Sequence, residues 1–340
     1  MQHVVFGAGL IGGFLAGALL SKGEPVSLVA RPSVKQRLAK GLRLTDYEGH
    51  EARMESVPFI DSTALQAPVG SLACDYLWLT VKCTAVESTL SELDALVASN
   101  TIIFCVQNGL GSEQCVKDRY PNNRVMRVMT MYNVAEPEAG HLHRGSEGHV
   151  SIEELVDCRE IAQNMASRIN CGLMPTESCA DMDAMLWAKL QLNLANAVNA
   201  LGDIPVKVMI EDSNYRKVIA LLMAELLAVV DAKNIKLPKV TAVPAHWFPR
   251  LMRLPNFIFL RLAQKMLTVD PTVRTSMWWD LSGGKLTEVD YLNGAVVDEG
   301  KKHGVACPAN EKMVSMIHQA EQGQLKPGMS GAALLNILKT

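Results

Sequence analysis

The sequence predicts an α/β protein in which a doubly wound parallel sheet is followed by an all-α domain. Over residues 1–170, short apolar runs alternate with segments of helical periodicity, and from Asp181 onward the strand pattern fades. Alternating strands and helices are typical of a parallel sheet with helices on both faces. A length of 340 residues suits two domains. We therefore predict a sheet domain over residues 1–175 and a helical domain over residues 176–340.

The strands of the first half are predicted where apolar runs end in glycine or in a polar or basic residue. They are HVVFGAG (3–9), PVSLVAR (25–31), DYLWLTVK (75–82), TIIFCVQNG (101–109) and a late strand, HVSIEEL (149–155). We expect this late strand to lie at the sheet edge and to run antiparallel. The intervening helices are predicted over LIGGFLAGALLSKG (10–23), VKQRLAKGL (34–42) and AVESTLSELDALVAS (85–99).

In the second half, apolar residues recur at helical spacing. The predicted helices are DAMLWAKLQLNLANAVNALG (183–202), YRKVIALLMAELLAVVDAKNI (215–235) and TEVDYLNGAVVDEGKKHG (287–304). The stretch from Pro238 to Pro271 is rich in Pro, Phe and Trp and predicts an irregular loop that leads into a helix. The longest apolar run, from Val218 to Val230, contains Glu225 and is too short to span a bilayer, so a buried helix is expected rather than a membrane segment.

Composition excludes several classes of protein. The formal net charge is −2 and the basic residues are spread along the chain, which disfavours a nucleic-acid-binding surface. The eight cysteines form no C-x-x-C pair and no Cys/His spacing typical of a metal site. The N-terminal segment lacks the basic start of a signal peptide. We therefore expect a cytoplasmic protein without a disulfide framework and without a bound metal.

A glycine-rich turn follows the first strand and predicts a dinucleotide site. Gly7, Gly9 and Gly12 form G-x-G-x-x-G between a strand and a helix, which is the context of the Rossmann fingerprint. The first glycine makes the turn, the second admits the pyrophosphate, and the third lets helix and strand pack closely. The predicted cofactor-binding residues of this turn are Gly7, Ala8, Gly9, Leu10, Ile11 and Gly12.

Basic residues after the second strand favour NADP(H) over NAD. An NAD site usually has Asp or Glu there, whereas this strand ends in Arg31, with Lys35 and Arg37 close by. A guanidinium pairs with the 2′-phosphate that distinguishes NADP, and a carboxylate would repel it. The alternative is that Arg31 is a solvated surface residue.

Lys82 and Asn108 follow the next two predicted strands of the sheet. Ligands of open α/β sheets bind at the carboxyl ends of the strands, so both residues are predicted to contact the cofactor. Lys82 would support the phosphates or a substrate carboxylate, and Asn108 the nicotinamide ribose or a carbonyl. The alternative is that Asn108 and Gly109 form an ordinary turn.

The helical half contains polar residues where an apolar helix is predicted. Lys189 and Asn193 are four residues apart and share one helix face, and Asn196 follows three residues later. Further on, Ser276 and Glu288 bracket a glycine-containing turn. Lys189 is a candidate proton donor to a carbonyl oxygen. The alternatives are a solvent-facing stripe for Lys189 and its neighbours and a helix N-terminal carboxylate for Glu288.

An ordered set of motifs resembles the ketopantoate reductase (2-dehydropantoate 2-reductase) family over nearly the whole chain. The motifs are GAGLIG at 7–12, VK at 81–82, QNGLG at 107–111, GHLHR at 140–144, WAKLQLN at 187–193, SMWWD at 276–280, TEVDYLNG at 287–294 and HGVACP at 303–308. The resemblance implies reduction of a small 2-oxo acid, ketopantoate, to pantoate for pantothenate synthesis.

The resemblance also implies a role for each matching residue. Lys189 is similar to the general acid of the family, and Asn193 to a substrate-binding amide. Ser276 resembles the residue that grips the substrate carboxylate, and Glu288 the carboxylate that contacts substrate or cofactor. The remaining matches are on the cofactor side: Lys82, Asn108 and, for the 2′-phosphate, Arg31. Asn196 follows Asn193 by three residues, and we include it among the predicted substrate-binding residues.

Two departures leave the exact substrate open. The family commonly has a second substrate Asn eight residues after the Lys, where this chain has Ala197, with Asn196 and Asn199 beside it. The segment over residues 237–272 is also longer than expected. An alternative is therefore an NADPH-dependent reductase of another branched or bulky 2-oxo acid, and a further one is a non-catalytic NADP sensor. The apolar helices are compatible with a homodimer as well as with a monomer core.

Overall fold

The computed structural model describes residues 1–262 and 272–339, which form two compact units. The first unit contains residues 1–108 and 112–182, and the second contains residues 109–111 and the chain from residue 183 onward. The division lies at Met182/Asp183, seven residues beyond the sequence prediction. The difference arises because a short strand, Thr176–Cys179, completes the sheet of the first unit.

The first unit contains all strands found in the described residues. They are β1 His3–Phe6, β2 Val26–Val29, β3 Leu42–Asp46, β4 Glu51–Met54, β5 Phe59–Ile60, β6 Tyr76–Leu79, β7 Ile102–Cys105, β8 Val125–Thr130, β9 Val134–Glu138, β10 His141–Arg144, β11 Val150–Glu153 and β12 Thr176–Cys179. Its helices are α1 Leu10–Ser21, α2 Pro32–Arg37, α3 Cys83–Leu93, α4 Gln114–Arg119 and α5 Arg159–Ile169.

The main sheet has eight strands in the order β12-β11-β8-β7-β6-β1-β2-β5. Its strands pair in parallel except for β11, which runs antiparallel to β8. The predicted fold class is thus confirmed, as is the antiparallel direction of β11. Its predicted position at the edge is wrong, because β12 pairs with β11 in parallel and takes that edge. β12 has the sequence TESC, with too few apolar residues to be recognised as a strand.

Burial on both faces of the sheet explains its continuous apolar strands. Trp78 and Phe104 stack on one face with ring centroids 4.2 Å apart, while Leu77 and Leu79 pack into a second apolar cluster. All four side chains are fully buried. A parallel sheet covered by helices on both faces requires strands of this kind.

A second sheet, in the order β4-β3-β10-β9, is absent from the sequence prediction. In β3, Leu42 and Leu44 are buried, whereas Arg43 and Thr45 are half-buried and lie between charged neighbours. One-sided burial of this kind produces a two-residue alternation. The strands are only four or five residues long, which is too short for that alternation to stand out against the surrounding loops.

Helices and 3-10 turns are the regular secondary structure in the described residues of the second unit. Its helices are α6 Met182–Asn193, α7 Ala195–Gly202, α8 Val206–Glu211, α9 Ser213–Ala232, α10 Phe248–Met252, α11 Asn256–Leu262, α12 Ser276–Ser282, α13 Asn293–Lys302, α14 Pro308–Glu321 and α15 Gly331–Lys339. α6 begins one residue before the division between the units.

Three details of the helical prediction are corrected. The segment predicted as one helix over residues 183–202 is interrupted at Leu194, where α6 gives way to α7. The segment over residues 238–271, predicted as an irregular loop that leads into a helix, contains two short helices, α10 and α11, and residues 263–271 lie outside the described part of the chain. The predicted helix over residues 287–304 is a 3-10 turn followed by α13, and two more helices come after it.

Glu225 has a structural role in the apolar helix α9. Its carboxylate accepts hydrogen bonds from the backbone N–H groups of Ala309 at 2.7 Å and Asn310 at 2.9 Å, and from the Asn310 side chain at 2.8 Å. These N–H groups belong to the first turn of α14, where a carboxylate is favoured by the helix dipole. No helix in the described residues has both the length and the apolar character needed to cross a bilayer.

His3 lies at the start of β1 and is a buried histidine that packs against Trp78. Its ring is fully buried, and Nδ1 accepts a hydrogen bond from Trp78 Nε1 at 3.0 Å, which places the single proton of the neutral ring on Nε2. Burial lowers the pKa of His3 to about 4 from 6.5, although Glu24, 3.6 Å away, opposes that shift. A second proton would also break the bond to Trp78.

We expect the free energy of unfolding to fall as pH decreases from 6.5 to 4, because only the unfolded chain binds a proton at His3 in that window. The loss attributable to His3 is about 3 kcal/mol. His3→Asn retains an acceptor for Trp78 and does not titrate. Urea unfolding at several pH values should therefore show a shallower pH dependence for this variant, and an unchanged slope would contradict the assignment.

Candidate active site

The glycine-rich turn between β1 and α1 has the geometry that a dinucleotide requires. Gly7 has φ = +111°, and a Cβ at Gly12 would lie 1.9 Å from the Gly7 carbonyl oxygen. A Cβ at Gly9, in contrast, would meet no heavy atom within 4 Å. The turn is therefore closed on the side of the sheet and open at its middle glycine. These residues fit a bound pyrophosphate, as the spacing predicts.

The hydroxyl of Thr80 holds this turn against the sheet. Thr80 Oγ1 lies 2.6 Å from the Gly7 carbonyl oxygen and 3.1 Å from that of Phe6. It would also lie 2.3 Å from a Cβ at Gly12. Thr80 is absent from the residues predicted for this site. Its one local signal is its place directly after an apolar strand.

Of the three basic residues after β2, two are already paired with carboxylates. Lys35 pairs with Asp61, and Arg37 Nη1 lies 3.0 Å from Glu136. Arg31 precedes α2, is exposed, and has no ion pair among the residues that the structure describes. Arg31 is therefore the basic side chain whose charge is most available to an anion at the end of β2.

Lys82 and Asn108 follow β6 and β7. The strand β6 ends at Leu79, so Lys82 lies three residues beyond it, as the exposed residue preceding α3, and the prediction that Lys82 ends the strand is wrong. Asn108 is half-buried, and its carbonyl oxygen accepts from Cys83 Sγ at 2.8 Å. The sheet order β7-β6-β1-β2 places the loops bearing Asn108, Lys82, the glycine-rich turn and Arg31 side by side.

Gln107 positions the loop that carries Asn108. Its side-chain amide donates to the carbonyl oxygens of Leu79 at 2.7 Å and Val81 at 3.0 Å, and the residue is 8% exposed. The amide thus ties the end of β7 to the end of β6. Asn108 is the only residue of this motif that was predicted as a site residue.

The next residues of the motif, 109–111, belong to the second unit. Gly109 has φ = +84°, and a Cβ there would lie 2.2 Å from the Tyr291 carbonyl oxygen. The Leu110 N–H donates to the same oxygen at 3.1 Å. Glycine is required at position 109 by both its backbone conformation and this close approach.

Lys189 and Asn193 lie on α6, four residues apart as the sequence predicts. Lys189 is half-buried between Ala188 and Leu190, each of which is 1% exposed, and Asn193 is also half-buried. Asn196 lies on α7, beyond the interruption at Leu194, and is half-buried as well. None of the three is on a fully exposed face, which argues against the solvent-stripe alternative.

Ser276 is at the start of α12, and Glu288 is at the end of the loop that follows this helix. Ser276 is the exposed first residue of α12, and Glu288 is 8% exposed at the start of the 3-10 turn 289–291. Its neighbour Thr287 is held by a bond from its N–H to Glu321 Oε1 at 2.7 Å. Glu288 precedes a 3-10 turn and not a long helix, so the helix-dipole explanation of this carboxylate loses its basis.

Asp46, Glu48 and His50 form a separate polar cluster in the first unit, with potential metal-ligand atoms within 4.8 Å of one another. Arg144 Nη2 lies 2.6 Å from Asp46 Oδ2 and 3.1 Å from Glu48 Oε2. Burial opposes ionisation of Asp46, but hydrogen bonds from His50 and Arg144 outweigh it and lower the pKa of Asp46 to about 2. The Arg144 guanidinium already pairs with both carboxylates, and we assign no metal there.

Comparisons with known proteins match both units of the chain. The family model described as ketopantoate reductase PanE/ApbA matches residues 3–157, and the model described as its C-terminal part matches residues 181–321. A 2-dehydropantoate 2-reductase from Archaeoglobus fulgidus is 25% identical over 323 residues, which are 94% of this chain and 97% of that protein.

Solved structures show the same fold. A PanE/ApbA family ketopantoate reductase from Ralstonia eutropha JMP134 has a TM-score of 0.76 at 25% identity, covering 96% of this chain and 100% of that one. D-mandelate dehydrogenase with NADH and anilino(oxo)acetate has a TM-score of 0.77 at 20% identity, and the match covers 95% of this chain and 99% of that one. The second likeness concerns the fold alone.

Proposed function

Because this chain belongs to the ketopantoate reductase family of oxidoreductases, we propose that it reduces 2-dehydropantoate to pantoate with NADPH, in pantothenate biosynthesis. The observation that carries the proposal is that the family models match residues 3–157 and residues 181–321. The first stretch contains the open glycine-rich turn, and the second contains Lys189, so one family accounts for both the coenzyme site and the proton donor.

The chemistry requires a hydride, a proton and a group that holds the substrate carboxylate. NADPH held by the glycine-rich turn would supply the hydride for C2 of the 2-oxo acid. Lys189 holds a proton on Nζ and delivers it to the carbonyl oxygen as negative charge develops there. The ammonium thereby stabilises the developing alkoxide before the proton moves, which favours the transition state over the bound substrate.

The other proposed residues bind and orient. Asn193 and Asn196 donate from their amides to substrate oxygens, and Ser276 grips the carboxylate. The glycine-rich turn, Lys82 and Asn108 hold the coenzyme. Glu288 contacts substrate or coenzyme, and its burial supports a positioned carboxylate rather than a solvated one.

Arg31 is proposed to select NADPH over NADH by pairing with the 2′-phosphate. We expect Arg31→Ala to lower kcat/KM for NADPH by about 10- to 100-fold, because a charge-assisted bond is lost. The value for NADH should stay nearly constant. Lys35→Ala is the matched control, because Lys35 is occupied by Asp61 and should change the preference little. Equal losses for both coenzymes in Arg31→Ala would reject this role.

A second candidate function keeps the reaction and changes the substrate to a bulkier 2-oxo acid. Ala197, at the position of the family's second substrate Asn, is fully buried and offers only a methyl group. The methyl group leaves room that an asparagine side chain would fill, and a branched or bulky 2-oxo acid is therefore the competitor to ketopantoate.

The deciding experiment measures NADPH oxidation with a panel of 2-oxo acids: ketopantoate, 2-oxoisovalerate, 2-oxoisocaproate and phenylglyoxylate. The proposal expects the highest kcat/KM with ketopantoate. A clear preference for phenylglyoxylate or 2-oxoisocaproate would support the second candidate, and no turnover with any member would reject both. Light scattering during gel filtration of the same preparation decides between the homodimer and the monomer that the sequence leaves open.

A further inference from the structure

The beginning of α12 is held against α7 by a buried asparagine. Asn199 is fully buried, and its Oδ1 accepts from the Thr275 N–H and from Thr275 Oγ1, both at 3.1 Å. Its Nδ2 donates to the Ile204 carbonyl oxygen at 2.7 Å. Both ends of the amide are thus engaged within the second unit.

A second set of contacts holds the same stretch from the end of α7. Asp203 ends α7 in the left-handed conformation, with φ = 50°, and its Oδ1 accepts from Trp278 Nε1 at 2.7 Å. Arg274 Nη1 lies 3.3 Å from the same oxygen, with its guanidinium 4.5 Å from the Trp278 ring. The Val206 N–H also donates to the Val273 carbonyl oxygen at 2.9 Å. Residues 273–278 are therefore attached on both sides of Ser276.

Thr275 connects these contacts to Ser276. Its hydroxyl accepts from the Trp278 N–H at 3.4 Å and so caps α12, whose first residue is Ser276. α12 has only seven residues, and a helix of that length has little stability of its own. Asn199 therefore holds Thr275, the residue that directly precedes Ser276 and caps its helix. α7 also carries Asn196, one turn before Asn199.

We propose that Asn199 is a positioning residue that acts through Thr275 to hold Ser276 for the carboxylate of the substrate. This inference rests on the proposed function. It also gives different roles to the two asparagines near Ala197. Asn196, which is half-buried, is proposed to bind substrate, whereas Asn199, which is fully buried, is proposed to position Ser276 without contacting substrate.

The test compares Thr275→Val, which removes the hydroxyl at nearly constant volume, with Thr275→Ser, which retains it. We expect Thr275→Val to raise KM for ketopantoate by about 3- to 10-fold, the equivalent of one lost hydrogen bond. Its kcat and its Kd for NADPH should stay near those of the wild type, and Thr275→Ser should behave like the wild type. Asn199→Ala should resemble Thr275→Val if it folds.

Two further measurements separate positioning from a merely structural role. The kcat/KM ratio between ketopantoate and its methyl ester should fall in Thr275→Val, because only the acid uses the carboxylate grip. In a Ser276→Ala background, Thr275→Val should add little, since the residue through which it acts is gone. An unchanged acid-to-ester ratio, or fully additive effects, would overturn the inference while the proposed function stands. A wild-type protein without 2-oxo acid turnover would reject the function and this inference with it.

Discussion

Replacing Lys189 by alanine is expected to lower kcat for ketopantoate reduction by about 10³- to 10⁴-fold, with NADPH binding nearly unchanged. General acid catalysis typically contributes a factor of about 10² to 10⁴, and stabilisation of the alkoxide by the same ammonium adds to it. The side chain lies half-buried on α6, in the second unit, whereas the glycine-rich turn belongs to the first. Loss of the amine therefore removes the proton source and leaves the coenzyme-binding residues intact.

Single-turnover measurement of NADPH oxidation and fluorescence titration of NADPH test this result. Lys326→Ala is the control, because Lys326 is an exposed lysine of the same unit that is assigned no role. Turnover that survives in Lys189→Ala would defeat the assignment of the general acid. Absent turnover in the wild type, together with tight NADPH binding, would favour the non-catalytic sensor.

Alanine at Gly12 and alanine at Gly9 are expected to fail in different ways. At position 12 a Cβ would lie 1.9 Å from the Gly7 carbonyl oxygen and 2.3 Å from Thr80 Oγ1, so strand and helix must separate. We expect a loss of about 3 kcal/mol in the free energy of unfolding. At position 9 a Cβ meets no heavy atom within 4 Å, and stability should change by less than about 0.5 kcal/mol.

The same pair of variants tests the coenzyme site. Gly9→Ala places a methyl group where the pyrophosphate is proposed to approach the backbone, and its Kd for NADPH should rise by about tenfold or more. Urea unfolding and NADPH titration measure the two quantities on one preparation. If Gly9→Ala binds NADPH with wild-type affinity, the pyrophosphate does not bind at this turn. Wild-type stability in Gly12→Ala would contradict the close packing of α1 on β1.

The predictions that succeeded came from strong local signals. The glycine spacing identified a turn whose first and third glycines are required by the backbone and whose middle glycine is open. The apolar spacing over residues 183–202 predicted a helix, and Lys189 and Asn193 both lie on α6. Elements with weak local signals were missed. β12 contains a single cysteine among polar residues, and α10 and α11 are too short to show a helical period.

Local patterns in the chain were sufficient to predict the class of fold, the glycine-rich turn and the residue types proposed for the chemistry, because each depends on periodicity or on backbone conformation within a few residues. Three contacts are visible only in the folded protein: Thr80 closes the turn, Gln107 joins β6 to β7, and Asn199 is bound to Thr275, which lies 76 residues away along the chain. These contacts join segments far apart in the chain, and a hydrogen-bond partner at such a distance leaves no pattern in the residues around either member.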